Sequence, residues 1–294
     1  MTIGANTILV LAGCALFGAL AGAIGTFVLA RRRALVSDVA GHAALPGVAL
    51  AFLIGEATGI GGRSPLVLIA GAAITALLAA LCVAPLARLR RVGDDGATAT
   101  MLAGSFGLGA ALLSLVQSHG SGAQGGVQSL LLGSAAAMRA HEVLALAVVS
   151  LATLAALAVL SRGFALVAFD EQHARVAGVP VRALDLALIV LLVATVVAGL
   201  QIAGVVLVVA FILTPAATAR LLPGSLRRTA ARAAAIGATT AVAGVLASLA
   251  SESIPTGSAM TIAASIPFFF GLMFARRMRA TGCIAARPAE ERAR

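Results

Sequence analysis

Several long stretches of this chain contain no Asp, Glu, Lys or Arg. Among them are residues 2–30, 64–87, 143–161, 186–219, 233–251 and 253–275. A helix needs about 20 apolar residues to cross the hydrocarbon core of a bilayer, so these runs predict an all-α, polytopic integral membrane protein. Polar and apolar residues do not alternate along the runs, which argues against a transmembrane β-barrel.

We count about nine spans, with eight as the alternative. The predicted spans are 8–30, 38–55, 65–86, 97–116, 143–160, 184–200, 203–221, 233–250 and 258–275. The sixth and seventh share one charge-free run, so only a tight hairpin can separate them. We expect a single transmembrane domain over 1–278 and a cytoplasmic tail over 279–294.

The basic residues predict the orientation of the spans. All 21 of them are arginine. With the N-terminus outside and the C-terminus in the cytoplasm, only Arg63 and Arg139 fall outside, as the positive-inside rule requires. The net charge of +10 does not indicate a nucleic acid partner, because the arginines form short clusters between apolar runs.

An aspartate and a histidine stand where the second span begins. Asp38 and His42 are four residues apart, so they lie on one face of a helix. Ionisable residues in a membrane span are costly and usually functional, and a carboxylate beside an imidazole suits zinc, manganese or iron. We therefore favour a metal or proton path. The alternative makes Asp38 part of the helix N-cap and His42 a packing residue.

Two segments between spans also carry predictions. In the inner segment 161–185, Asp170 and Glu171 open a short helix that Gly178 and Pro180 close. This helix is either a docking element or a plain connector. The outer segment 117–141 contains His119, which faces a cation or only solvent, and a predicted interfacial or re-entrant helix over 130–138.

The sequence has no lysine, so it cannot contain the lysine-dependent phosphate loop of an ATPase. Any ATP-driven process must therefore use a separate ATPase subunit. The inner helix is a segment that such a subunit could bind.

Four motifs resemble the membrane permeases of the manganese/zinc/iron ABC importer family. The first is D-V-A-G-H-A-A-L-P-G-V-A-L-A-F at 38–52, and the second is F-D-E-Q-H-A-R-V-A-G-V-P-V at 169–181. The third is G-V-V-L-V-V-A-F-I-L-T-P-A-A-T-A-R-L-L at 204–222, followed by P-T-G at 255–257. The motifs span nearly the whole chain in the family's order.

The resemblance implies an ABC-importer permease fold in a bacterial plasma (inner) membrane. It makes Asp38 and His42 the ligands of a transported ion, and it places the ATPase-coupling helix near 168–180. The coupling residues are Asp170, Glu171, Ala174 and Gly178.

The implied partners are cytoplasmic ATP-binding subunits, a second permease subunit in a homo- or heterodimer, and an external metal-binding lipoprotein or periplasmic protein. No permanently bound cofactor is expected. The transported ion is manganese, zinc or iron, and the outer loop looks more like that of manganese or iron members, with manganese favoured.

Two other functions remain open at this point. A related ABC permease could carry a metal chelate such as a siderophore or cobalamin, through a wide path that needs no charged pair. An intramembrane enzyme could instead use Asp38 and His42 as acid and base, and it would act as a single chain without ATP.

Overall fold

The computed structural model describes residues 5–59, 64–89, 91–118, 138–250 and 255–280. Within these ranges the chain forms ten helices and no strand. The helices are α1 (Ala5–Ala30), α2 (Ala34–Thr58), α3 (Pro65–Ala87), α4 (Gly93–Ser118), α5 (Ala140–Phe169), α6 (Glu171–Val176), α7 (Val181–Ala203), α8 (Val205–Arg220), α9 (Leu226–Ala250) and α10 (Thr256–Ala280). His119, most of the helix predicted over 130–138 and nearly all of the predicted tail lie outside the described residues.

Eight of these helices are long and apolar enough to cross a membrane. The exceptions are α6, with 6 residues, and α8, with 16. The prediction of a polytopic helical membrane protein is thus confirmed. The count of about nine, with eight as the alternative, corresponds in the described ranges to eight full-length helices and the shorter α8.

Helix α5 is longer than predicted. The fifth span was expected to end near residue 160, whereas the helix continues to Phe169. No proline interrupts residues 161–169, and the helical hydrogen bonding continues until Asp170 adopts an extended conformation. The inner segment is therefore shorter than the sequence indicated, because both flanking helices extend into it.

The helices form two groups. Helices α2, α3 and α4 pack on one another, while α1 packs mainly on α9, α5 and α8. Small residues allow the close approaches, since a Cβ on Gly47 would meet the backbone of Gly71, and one on Gly22 would meet the backbone of Ala233. Beyond the turn that joins them, α1 and α2 touch very little.

The close approach of α1 to α9 predicts a stability effect. Gly22→Ala should destabilise the protein by about 1–3 kcal/mol, because the added methyl group overlaps the Ala233 carbonyl. Gly104→Ala, on α4 where nothing lies within 4 Å, is the matched control and should be neutral. Thermal unfolding in detergent measures both, and equal melting temperatures for the two variants would contradict the packing.

Helices α7 and α8 are separated by a single residue, Gly204, with φ of 78°. Asp185 pairs with Arg31, while Gly199 lies beside Phe17, so α7 runs antiparallel to α1. A helix rises about 1.5 Å per residue. Measured along the axis of α1, Gly204 therefore lies about 10 Å from the first residue of α1, on the side towards the middle of that helix. The predicted tight turn exists, and it lies inside the bundle.

The arginines gather at one end of the bundle, here called the basic end. Arginines from the end of α1, the end of α3, α6 and the start of α7 line one cavity there. Because Gly22 lies against Ala233, α9 starts near where α1 ends, and its arginines join the same end.

Candidate functional site

Asp38 and His42 lie on α2, on the inner side of its second and third turns. The helix begins at Ala34 with Arg33 as its N-cap, so the alternative that Asp38 caps the helix is wrong. The helix starts one turn earlier than predicted, which moves both residues deeper into the bundle. The local cause is the run A-L-V-S, which contains no helix breaker after the turn at Arg32.

The two side chains lie next to each other. His42 Nε2 is 3.5 Å from Asp38 Oδ1, with 18% of the histidine side chain and 39% of the aspartate side chain exposed. His42 Nδ1 is buried and has no hydrogen-bond partner among the residues that the structure describes. Phe106 of α4 meets the imidazole edge-on with ring centroids 5.4 Å apart, which restricts the orientation of the ring.

This pair offers one oxygen donor and one nitrogen donor to a cation. Among the described residues, no group of three or more His, Cys, Asp or Glu side chains is close enough to hold a metal ion. Zinc usually takes about four protein or water ligands, and harder divalent ions take about six. One copy of the chain therefore supplies only part of a coordination shell.

The short helix α6 forms a compact turn at the basic end. Asp170 Oδ1 accepts a hydrogen bond of 2.9 Å from the His173 amide, which caps the helix. Gly178 has φ of 76°, a left-handed conformation that suits glycine and turns the chain towards α7. Ala174 is fully buried and anchors α6 to its neighbours.

Two large apolar side chains project from this segment. Phe169, the last residue of α5, is 83% exposed, and Val176, the last residue of α6, is 88% exposed. The rest of the subunit therefore leaves both side chains largely uncovered. We call Phe169 and Val176 the apolar tips of α6.

A cluster of ion pairs ties α6 to other helices. Arg31 Nη2 lies 2.8 Å from Asp185 Oδ1 and 3.3 Å from Glu171 Oε2. Arg175 also pairs with Glu171. Burial by itself raises the pKa of Glu171, but the hydrogen bonds and charges of Arg175 and Arg31 outweigh burial and hold this pKa below its usual value.

The lowered pKa of Glu171 predicts acid sensitivity. Ionised Glu171 stabilises the fold above its unfolded-state pKa, and this stabilisation is lost as the pH falls through the lower folded-state pKa. We expect the melting temperature of the wild type to fall below pH 4.5 more steeply than that of Glu171→Gln. Melting curves between about pH 3 and pH 7 measure the difference, and parallel curves would contradict the pairing.

Sequence analysis did not identify Phe106, Arg31, Asp185 or the apolar tips as part of the site. Arg31 and Asp185 are 154 residues apart, and only the fold brings them together. Nothing in the sequence distinguishes Phe106 from other apolar residues of its span. Val176 did carry a signal, since apolar residues flank the polar start of the predicted inner helix.

Comparisons with known proteins identify relatives of the whole chain. The family model for the ABC 3 transport family matches residues 5–275. The manganese transport system membrane protein MntC of Bacillus subtilis is 37% identical over 92% of this chain, and the match spans 61% of MntC. The zinc transport system membrane protein TroC of Treponema pallidum is 30% identical, over 86% of this chain and 83% of TroC.

A solved structure resembles the whole fold. The structure titled PsaBC from Streptococcus pneumoniae in complex with Fab superposes with a TM-score of 0.80 and 27% sequence identity. The match covers 95% of this chain and 96% of that chain. The overall arrangement of helices therefore also occurs in a solved structure.

Proposed function

The chain belongs to the ABC 3 transport family, and we propose that it is the membrane permease subunit of an ATP-driven importer of divalent transition metal ions. The observation that carries the proposal is the adjacent carboxylate and imidazole of Asp38 and His42 within a membrane-spanning helix. A charged pair at this depth is costly unless it has a function, and binding a passing cation is the function that its chemistry suits.

Manganese is the favoured cargo. The Bacillus relative is named for manganese, whereas the Treponema relative is named for zinc. Mixed oxygen and nitrogen ligands bind either ion, and affinity alone favours zinc. The preference for manganese therefore rests on the relatives, and the adjacent donors of Asp38 and His42 support a bare ion over a large chelate.

A second permease subunit completes the ion site in this proposal. One chain supplies one carboxylate and one imidazole, and two chains around an axis would supply two of each. Four ligands of mixed oxygen and nitrogen are enough for transient coordination, with water filling the remaining positions. Partly exposed Asp38 leaves one side of the pair open to such a partner.

The basic end faces the cytoplasm, because arginine-rich ends are retained there. We propose accordingly that the N-terminus is outside and the C-terminus inside. Helix α6 then lies on the cytoplasmic surface, where its apolar tips contact a separate ATP-binding subunit. An external metal-binding protein delivers the ion to the opposite end.

Transport follows from these positions. The ion is released by the external protein, enters between two permease subunits, and is held by Asp38 and His42. Closure of the ATP-binding subunits moves α6, and the helices shift so that the site opens to the cytoplasm. The permease catalyses no reaction. It exposes the ligands alternately to the two sides of the membrane.

A competition experiment tests the cargo. Proteoliposomes that contain the permease, its ATP-binding subunit and the external protein should accumulate radioactive Mn²⁺ only when ATP is present. Unlabelled Mn²⁺ or Zn²⁺ should compete, whereas a ferric siderophore or cobalamin should not. Vesicles loaded with a non-hydrolysable ATP analogue are the control, and competition by the chelates alone would reject the proposal.

A further inference from the structure

Arg31 is the most connected charged residue at the basic end. Only 11% of its side chain is exposed. Its Nη1 donates a 3.0 Å hydrogen bond to the Val167 carbonyl near the end of α5, and its guanidinium also binds Glu171 of α6 and Asp185 of α7. One side chain at the end of α1 therefore contacts three other helices.

Asp185 extends this cluster to α2. Its Oδ2 accepts a 3.0 Å hydrogen bond from Arg33 Nη2 while the same carboxylate binds Arg31. Arg33 is the N-cap residue of α2, five positions before Asp38. A continuous path of charged contacts thus runs from Glu171 through Arg31 and Asp185 to the start of the helix that bears the ion ligands.

A cavity of about 720 Å³ lies between α2, α3 and α4 on one side and α6 and α7 on the other. The ion pairs lie on its wall. Glu171 of α6 binds Arg31, which stands two residues before Arg33, the N-cap of α2. A displacement of α6 therefore reaches α2 through these side chains and the short turn 31–33.

We propose that Arg31 and Asp185 form a joint that transmits the position of α6 to α2, and so couples ATP-driven movement to the exposure of Asp38 and His42. Both are positioning residues, since neither touches the transported ion. This proposal rests on the proposed function. It adds the residues that link the ATPase contact to the ion site.

Single substitutions can test the joint, because neither of them leaves a carboxylate of the cluster without an arginine partner. In Arg31→Gln, Asp185 keeps Arg33 and Glu171 keeps Arg175. Asp185→Asn retains the shape of the side chain and removes its charge. Arg182→Gln is the matched control, because Arg182 is an exposed arginine on the same turn of α7 and its loss changes the net charge equally.

Full transporter complexes in vesicles provide three measurements: ATP hydrolysis, Mn²⁺ uptake and Mn²⁺ binding without ATP. We expect Arg31→Gln and Asp185→Asn each to lower uptake per ATP hydrolysed by about tenfold, a typical strength for coupling between sites. Binding and ATP hydrolysis should stay within about twofold of the wild type. The double variant should be no worse than either single variant, because both act through one contact.

Several results would overturn the joint. Unchanged uptake in Arg31→Gln would reject it, and so would a parallel loss of uptake and ATP hydrolysis, which indicates poor assembly. Additive losses in the double variant or an equal loss in Arg182→Gln would also count against it. If Asp38→Ala still transports Mn²⁺ while Arg31→Gln does not, the ion-site assignment fails and the joint stands.

Discussion

Replacing Asp38 or His42 by alanine is expected to lower ATP-driven Mn²⁺ uptake by about 100-fold or more, since even partners that only orient a metal ligand contribute about 10–100-fold. Each change removes one of the two donors that a subunit offers to the ion. Within the described ranges, no third His, Cys, Asp or Glu side chain stands close enough to the pair to replace the lost donor.

The measurement is uptake of radioactive Mn²⁺ into vesicles that contain the complete transporter. Asp95→Ala and His141→Ala are matched controls, since they remove the same side-chain types from exposed positions on other helices. Both controls should transport like the wild type, and all variants should assemble equally by size-exclusion chromatography. Normal uptake in both Asp38→Ala and His42→Ala would reject the ion site.

The second large effect is expected at the apolar tips of α6. Val176→Asp should weaken binding of the ATP-binding subunit by about 30-fold or more, because it would bury an unpaired carboxylate in the contact at a cost of about 2 kcal/mol or more. The 88% exposed side chain has few contacts within the subunit, so the fold should tolerate the change. Uptake should fall with the loss of the ATPase.

Co-purification of the ATP-binding subunit with the permease measures this effect. Leu222→Asp is the control, because Leu222 is another exposed apolar residue, located between α8 and α9. Its complex should remain intact. A Val176→Asp permease that retains its ATPase and its uptake would show that α6 does not dock through this tip.

Most of the fold was predictable because the hydrophobic length of each span is a local property of the sequence. The predicted boundaries of the sixth and seventh spans, 184–200 and 203–221, lie close to α7 and α8. The depth of the turn at Gly204 was not predictable, since it depends on how α8 packs against α1. The extension of α5 was missed because a helix does not have to end where the bilayer ends.

The site was predictable only in part, for the same reason. Asp38 and His42 are one helical turn apart, so their proximity follows from the helix period alone. The contact of Phe106 with His42 and that of Arg31 with Asp185 join distant segments. Composition and spacing carry no information about such pairs without the tertiary structure.

The internal start of α8 has a consequence for how the protein is made. With 16 residues, α8 is too short to cross a bilayer by itself, and its first amides lie deeper in the bundle than those ends of the neighbouring helices that are opposite the basic end. Exposed backbone of this kind is not tolerated in lipid, so it has to be covered by protein, as Gly257 of α10 covers the Ala203 carbonyl. Membrane insertion of α8 during synthesis therefore has to await α9 and α10, and a nascent chain released at Arg220 would have no stable place for this segment.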